Sequence, residues 1–154
     1  MNKEIYQALI EDITDEMALL ANTSAYLNQH FEKINWVGFY RLINQQLVLG
    51  PFQGKIACVT IELDKGVCGH VARTQKPIIV PDVDQFPGHI VCDDASKSEM
   101  VLPMMIDGQL YGVLDIDSPY KNRFQENDLT FALDIVDALE HQLTKIKSAK
   151  ALIS

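Results

Sequence analysis

The segment MVLPMMIDGQLYGVLDI, residues 100–116, is decisive for the fold class of this chain. Two aliphatic runs flank Asp107-Gly108, a pair that favours the two-residue turn of a β-hairpin. Pro103 has no backbone N–H, which predicts that its strand is irregular or lies at a sheet edge. We therefore expect two antiparallel strands here.

A second hairpin is predicted upstream. Residues 36–43 and 46–52 are rich in aromatic and branched side chains and flank Asn44-Gln45. Further strands are predicted at about 56–63 and 77–80, with a two-turn helix at 66–74 between them.

Helices are predicted at both ends of the chain. Apolar residues recur at helical spacing over 5–20, and Asn22-Thr23-Ser24 is expected to interrupt that helix, with Ser24 capping a short second one. A long amphipathic helix is expected from about Gln125. These elements predict an α+β fold, residues 1–154 forming one domain, with a mostly antiparallel central sheet and the N- and C-terminal helices packed on one face.

Composition narrows the class of partner. The 154 residues carry a net charge of -8, and neither Lys nor Arg clusters along the chain, which argues against nucleic acid and anionic membranes. The sequence lacks an apolar run long enough to cross a bilayer, and residues 1–16 mix charged with apolar side chains. We expect a soluble, cytoplasmic protein.

The three cysteines, Cys58, Cys68 and Cys92, are either buried fillers or reactive thiols, because an odd number in a reducing compartment opposes a permanent disulfide framework. Cys92 lies in a long polar loop, which favours a reactive role. His89 is the nearest cation that would stabilise a thiolate, whereas Asp93 and its acidic neighbour oppose ionisation.

A metal centre is the rival interpretation of these cysteines together with His70 and His89. The chain has no C-x-x-C pair and no zinc-type ligand spacing, so we predict no metal and no cofactor. Motifs for nucleotide binding or a hydrolase nucleophile are absent as well.

Two further sets of residues are candidates for a binding site. Strand alternation places Asp115 and Asp117 on one face, with Glu99 on the neighbouring strand. They are either a polar edge or a pocket for an ammonium group or a proton. Trp36 and Tyr40 also share a face, and Gly38 between them would leave room for a small ligand unless the pair is ordinary core.

At this point the sequence resembles a known family, the free methionine-R-sulfoxide reductases, whose members have a GAF fold. The likeness extends over nearly the whole chain and includes all three cysteines. It is carried by Asn35-Trp36-Val37-Gly38-Phe39-Tyr40, Leu49-Gly50-Pro51-Phe52-Gln53-Gly54-Lys55, Gly66-Val67-Cys68-Gly69, Val80-Pro81-Asp82-Val83, Phe86-Pro87-Gly88-His89-Ile90 and Gly112-Val113-Leu114-Asp115-Ile116-Asp117-Ser118.

The resemblance implies a homodimeric GAF-like enzyme that reduces free methionine-R-sulfoxide and is recycled by thioredoxin. Cys92 matches the catalytic cysteine of the family, and Cys58 and Cys68 match its resolving cysteines. The chain departs from the common pattern at 63–65 and at His70, near Cys68, which favours Cys58 as the resolving residue. The matched substrate-binding residues are Trp36, Tyr40, Glu99, Asp115 and Asp117.

Two hypotheses compete with the enzyme. One is a GAF domain that senses a small molecule without turnover and signals through its terminal helices. The other is a redox switch in which Cys58 or Cys68 pairs with Cys92 in the absence of any substrate.

Overall fold

A computed structural model describes residues 3–90 and 94–153 of the chain. It contains four α-helices and six strands among these residues. The helices are α1 (Lys3–Ile10), α2 (Glu16–His30), α3 (Gly66–Thr74) and α4 (Glu126–Ile153), and the strands are β1 (Trp36–Ile43), β2 (Gln46–Gly54), β3 (Thr60–Glu62), β4 (Ile78–Val80), β5 (Ser98–Ile106) and β6 (Gln109–Ser118).

The six strands form one antiparallel sheet in the order β3-β2-β1-β6-β5-β4. Both predicted hairpins are confirmed. Asp107 and Gly108 have φ of 53° and 76°, and Asn44 and Gln45 have φ of 50° and 66°, the left-handed values that two-residue turns require. β4 pairs only with residues 99–101 of β5, so at Pro103 that side of β5 has no paired strand among the described residues, and the register shifts between Met104 and Met105. Both features agree with the expectation for Pro103.

The two faces of the sheet bury different sets of side chains. On β1, Val37 and Phe39 belong to the core that the sheet shares with α1, α2 and α4, as the α+β prediction requires. Trp36 and Tyr40 point to the opposite face, where the buried residues include α3. This second face carries the candidate site, because strand alternation also sends Asp115 and Asp117 there.

The predicted break at Asn22-Thr23-Ser24 is wrong. The first helix ends at Ile10. Asp15 caps α2 by accepting a hydrogen bond from Ala18 N at 2.9 Å. Ser24 lies inside α2 and donates to the carbonyl of Leu20 at 2.8 Å, and Thr23 Oγ1 lies 2.7 Å from Tyr6 Oη. A polar run does not interrupt a helix when each hydroxyl has a partner.

The third strand is shorter than predicted, and residues 56–59 form a loop in front of Thr60–Glu62. The 82–98 loop contains a short helical turn at Val83–Gln85 and ends where β5 begins at Ser98. Helices α3 and α4 lie where they were predicted. Among the described residues, no helix combines the length and the apolarity that crossing a membrane requires.

Candidate active site

The register of three strands gathers the predicted site residues. Trp36 lies opposite Asp117, and Asp117 in turn lies opposite Glu99, so the three form a row across β1, β6 and β5. Asp115 is in the next row, opposite Gly38. Together with Tyr40, Cys68 and His89, they line a narrow cavity of about 50 Å³ between the sheet, α3 and two loops.

The aromatic wall of this cavity is a stack of three rings. The Trp36 ring lies between Tyr40, at a centroid distance of 5.9 Å, and Phe52, at 5.2 Å. A Cβ on Gly38 would lie 2.8 Å from Cη2 of Trp36 and would also clash with Phe52. The expectation that Gly38 leaves room for a ligand is therefore wrong: the space belongs to the indole of Trp36.

The two aromatic residues also hold the loop that carries Cys58. Trp36 Nε1 donates to the carbonyl of Lys55 at 3.2 Å, and Tyr40 Oη donates to the carbonyl of Cys58 at 2.9 Å. Burial raises the pKa of Tyr40, and the nearby carboxylates add to this effect. The phenol thus keeps its proton and remains a donor to the Cys58 carbonyl.

Three carboxyl groups are buried together at the floor of the cavity. The exposed fractions of Glu99, Asp115 and Asp117 are 7%, 6% and 9%. Burial raises the pKa of Glu99 well above its ordinary value, with a further contribution from the charges of the two aspartates, and burial also raises the pKa of Asp115. Oδ1 of Asp115 is buried and has no hydrogen-bond partner among the described residues.

The two described cysteines differ in state. Cys68 is a buried free thiol, whose pKa is raised well above its ordinary value by burial and by the charge of Asp115. Cys58 is partly exposed and disulfide-bonded. Cys92 lies outside the described residues, so its predicted place at the site is not tested. The environment of Cys68 disfavours a nucleophilic thiolate there.

The geometry of the described residues bears on the alternative that the cysteines and histidines form a metal centre. The ligand atoms of Cys68, Glu99 and Asp115 lie within 4.8 Å of one another, and no histidine joins this group among the residues that the structure describes. His70 is exposed and packs edge-on against Phe86. His70 therefore lies outside the cavity that Cys68 and His89 line, and Cys92 of the set considered from the sequence lies outside the described residues.

Sequence reasoning missed the residues that close the cavity from the loop side. Gly66 begins α3 with φ of 62° and donates its N–H to the carbonyl of Gly88 at 3.1 Å. A Cβ at this glycine would lie 3.3 Å from Ile90 Cγ1, so the loop approaches the start of α3 closely. Ser96 reaches the cavity and accepts a hydrogen bond from Asn35 Nδ2 at 3.1 Å. Gly66, Gly88 and Ile90 lie in segments that carry the family resemblance, which was the available signal for them, and Asn35 is adjacent to Trp36.

Comparisons with known proteins agree with this geometry. The model of the GAF domain family matches residues 3–143. The free methionine-R-sulfoxide reductase of Escherichia coli is 48% identical over 138 residues, which cover 90% of this chain and 84% of that protein.

Two solved structures are similar as well. The protein named fRMsr of Staphylococcus aureus, in its reduced form, has a TM-score of 0.89 and 49% identity, covering 92% of each chain. The free methionine-R-sulfoxide reductase of Neisseria meningitidis, in complex with its substrate, has a TM-score of 0.92 and 38% identity, covering 96% of this chain and 89% of that one.

This chain belongs to the free methionine-R-sulfoxide reductase family of GAF domains. Membership confirms the resemblance seen in the sequence and the GAF-like fold. Family membership does not by itself assign roles to the individual residues of the site.

The buried carboxyl groups of this family member predict a pH dependence of stability. Because the pKa values of Glu99 and Asp115 are raised on folding, the folded state holds more protons than the unfolded state above the ordinary carboxyl pKa. The free energy of unfolding should therefore fall as pH rises, by about 1.4 kcal/mol per pH unit for each extra proton.

Urea unfolding between pH 4.5 and 8, at one fixed redox state, measures this slope. Glu99→Gln should flatten it, whereas the exposed Glu62→Gln should leave it unchanged. Equal slopes in the two variants would contradict the assignment of the extra proton to this cluster.

Proposed function

We propose that this protein reduces free methionine-R-sulfoxide to methionine, with Cys92 as the nucleophile. The observation that carries the proposal is a cavity in which Trp36 and Tyr40 lie with three buried carboxyl groups beside the loop of Cys58. The relatives from Escherichia coli and Neisseria meningitidis, both named for this activity, support the same substrate.

The proposed substrate fits the chemistry of the cavity. A free amino acid carries an ammonium group, which neutralises adjacent carboxylates, and the unpartnered Oδ1 of Asp115 is available to accept from it. The apolar parts of Trp36 and Tyr40 that line the cavity suit the methyl and thioether end. Glu99 and Asp117 complete the acidic side, and a carboxyl group with a raised pKa, as found for Glu99, can supply a proton.

The reaction begins with attack of the Cys92 thiolate on the sulfoxide sulfur while a carboxylic acid protonates the sulfoxide oxygen. The sulfur–oxygen bond of the substrate breaks and the oxygen passes to the cysteine, so methionine is reduced and Cys92 becomes a sulfenic acid. A second thiol then displaces water from the sulfenic acid and forms an intramolecular disulfide. Reduction by a dithiol protein restores both thiols.

Cys58 is the proposed resolving cysteine. Its disulfide-bonded state and its partial exposure support a redox role, and the free thiol of Cys68 is buried beside carboxyl groups that raise its pKa. Tyr40 contributes by holding the Cys58 carbonyl in place.

The small size of the cavity is consistent with the state of the cycle in which Cys58 is disulfide-bonded. Its volume among the described residues, about 50 Å³, corresponds to a few water molecules. We propose that reduction of the Cys58 disulfide releases the 56–59 loop and opens the cavity to substrate.

Replacing Cys58 by serine should allow one turnover and then slow recycling, because the sulfenic acid loses its main partner. A burst of about one methionine per chain, followed by a slow steady rate with thioredoxin, is expected in a rapid-quench assay. Cys68→Ser is the matched control, and it should retain steady turnover. If the two variants exchange these behaviours, the resolving role belongs to Cys68.

Thioredoxin is the proposed reductant, and the surface around Cys58 supports docking of a protein. Ile56 and Val59 flank this cysteine with exposed fractions of 91% and 67%, and such apolar side chains are typical of protein contact sites. The double substitution Ile56→Asp and Val59→Asp should lower kcat/KM for reduced thioredoxin about tenfold or more.

The same double variant should keep its rate with dithiothreitol, a small reductant that needs no docking surface. Ile43→Asp plus Leu133→Asp, which changes two other exposed apolar side chains, is the control. Equal losses with both reductants would argue against docking at 56–59.

The direct test of the proposal is incubation of the protein with free methionine-R-sulfoxide and dithiothreitol, with chromatographic detection of methionine. The S epimer serves as the control, because exchanging oxygen and lone pair removes the oxygen from its proton donor. Absence of methionine would favour a GAF sensor. Formation of the disulfide by peroxide, without turnover of the sulfoxide, would favour the redox switch.

We also propose that the protein is a cytoplasmic homodimer, as the family resemblance implies. Ile5 and Leu9 are large exposed apolar side chains on α1, which supports an interface on this helix. Sedimentation equilibrium of the purified protein tests the dimer.

A further inference from the structure

A second and larger cavity lies at the opposite end of β1 and β6 from the Trp36–Asp117 row. Its volume is about 460 Å³, and it is bounded by the end of β1, the start of β6 and the last turns of α4. Cavities that bind small molecules in proteins span about 300–1,000 Å³. The proposed reductase chemistry uses none of its residues.

Arg41 is the unusual residue of this cavity. It follows Val37 and Phe39 on the face of β1 that packs against the helices, where a cation is out of place. Its Nε is buried and has no hydrogen-bond partner among the described residues. A buried N–H without an acceptor is costly, which indicates a site completed by an acceptor from outside the chain.

Gly50 makes room for this guanidinium. A Cβ at position 50 would lie 3.4 Å from Arg41 Nε and 3.2 Å from the carbonyl oxygen of Phe39. The arginine can therefore lie against the sheet, with its Nε held in a defined place.

The charges around Arg41 leave a net positive cavity. Lys147 and Lys150 line it from α4, where Lys147 is paired with Asp107 of the β5–β6 turn at 3.5 Å, and Glu16 is its single carboxylate among the described lining residues. Glu16 Oε2 accepts a hydrogen bond from Tyr111 Oη at 3.1 Å, and the structure records no ion pair between Arg41 and a described carboxylate. This local excess of cations is notable in a chain whose net charge is -8.

The remaining walls are largely apolar, with Ile106, Leu143 and Ile146 on the helix side of the sheet among the residues that form them. A ligand for this cavity thus needs one anionic group for the guanidinium and a hydrocarbon body for the walls. Arginine matches the planar geometry of a carboxylate with two parallel hydrogen bonds.

We propose that this cavity binds a small amphipathic carboxylic acid, with its carboxylate on Arg41 and its hydrocarbon chain against Leu143 and Ile146. The proposal is independent of the proposed reductase activity, because it rests on a different end of the sheet. Its test is therefore a measurement of ligand binding, not of turnover.

Octanoate is the probe, titrated below its micellar concentration into the full-length protein while the Nε–H resonance of Arg41 is followed by NMR. We expect saturable binding at one site per chain and a shift of that resonance. Arg41→Met should weaken binding tenfold or more. Arg73→Met, which removes an arginine paired with Asp64 on the exposed surface, should leave it unchanged.

A comparison of ligands tests the same point on the unaltered protein, whatever the stability of the Arg41 variant. Octanol lacks the anionic group and should bind at least tenfold more weakly than octanoate. Equal affinities for the two ligands, absence of saturation, or equal binding by Arg41→Met and the unaltered protein would each overturn the proposal. Exclusion of octanoate by a second copy of the chain seated on the cavity, seen as a concentration-dependent loss of binding, would do so too.

Discussion

Replacing Cys92 by serine is expected to abolish the reduction of free methionine-R-sulfoxide while the protein stays folded. Serine has nearly the same volume, but at neutral pH its hydroxyl is a far weaker nucleophile than a thiolate. Loss of the single nucleophile of an enzyme lowers kcat by roughly four to six orders of magnitude. The product methionine should therefore fall below the limit of chromatographic detection.

Two measurements accompany this variant. The melting temperature should remain close to that of the unaltered protein, and Cys68→Ser should keep most of its activity because that thiol is buried and its pKa is raised. Retention of activity by Cys92→Ser would remove Cys92 from the mechanism. Loss of activity in Cys68→Ser alone would show that Cys68, on α3, is the nucleophile.

The second large effect concerns the form of the substrate. N-acetylmethionine-R-sulfoxide amide presents a neutral amide where the free amino acid presents an ammonium group, so the buried carboxylates would lose their cation. An uncompensated buried charge costs about 3–5 kcal/mol, and this predicts a kcat/KM roughly a hundredfold or more below that of free methionine-R-sulfoxide.

The carboxyl groups responsible can be identified with the same pair of substrates. Asp115→Asn removes the charge next to the unpartnered oxygen and should lower kcat/KM for the free amino acid more than for the blocked derivative. Asp107→Asn, a change of the same kind at an exposed hairpin turn, is the control. Similar kcat/KM values for both substrates would reassign Glu99, Asp115 and Asp117 to structural roles.

Local sequence signals predicted most of the secondary structure because short-range physics decides it. The Asp107-Gly108 and Asn44-Gln45 turns adopt the left-handed backbone that such pairs favour, and α3 spans Gly66–Thr74 as predicted. The N-terminal region was predicted wrongly because the Thr23 hydroxyl contacts Tyr6 of α1 and the Ser24 hydroxyl also reaches the carbonyl of Pro51 on β2. Those contacts depend on packing that no local pattern records.

The candidate site was likewise predicted in part from the sequence, and the rest of it depended on the tertiary structure. Strand alternation, read from the sequence, predicts that Asp115 and Asp117 share a face and that Trp36 and Tyr40 share one. The register between β1, β5 and β6 then places Trp36, Asp117 and Glu99 in one row, and this register depends on turns and on packing of the whole sheet.

The amino-acid sequence by itself determined the α+β class, the hairpins, the family and the identity of the candidate residues, because periodicity, turn chemistry and motif are properties of neighbouring residues. Only the tertiary structure decided that Gly38 accommodates the Trp36 ring, that Cys68 is a buried thiol beside Asp115, and that Arg41 faces a second cavity. Burial, unmet hydrogen bonds and shifted pKa values arise from contacts between distant segments, and these exist only once the chain has folded.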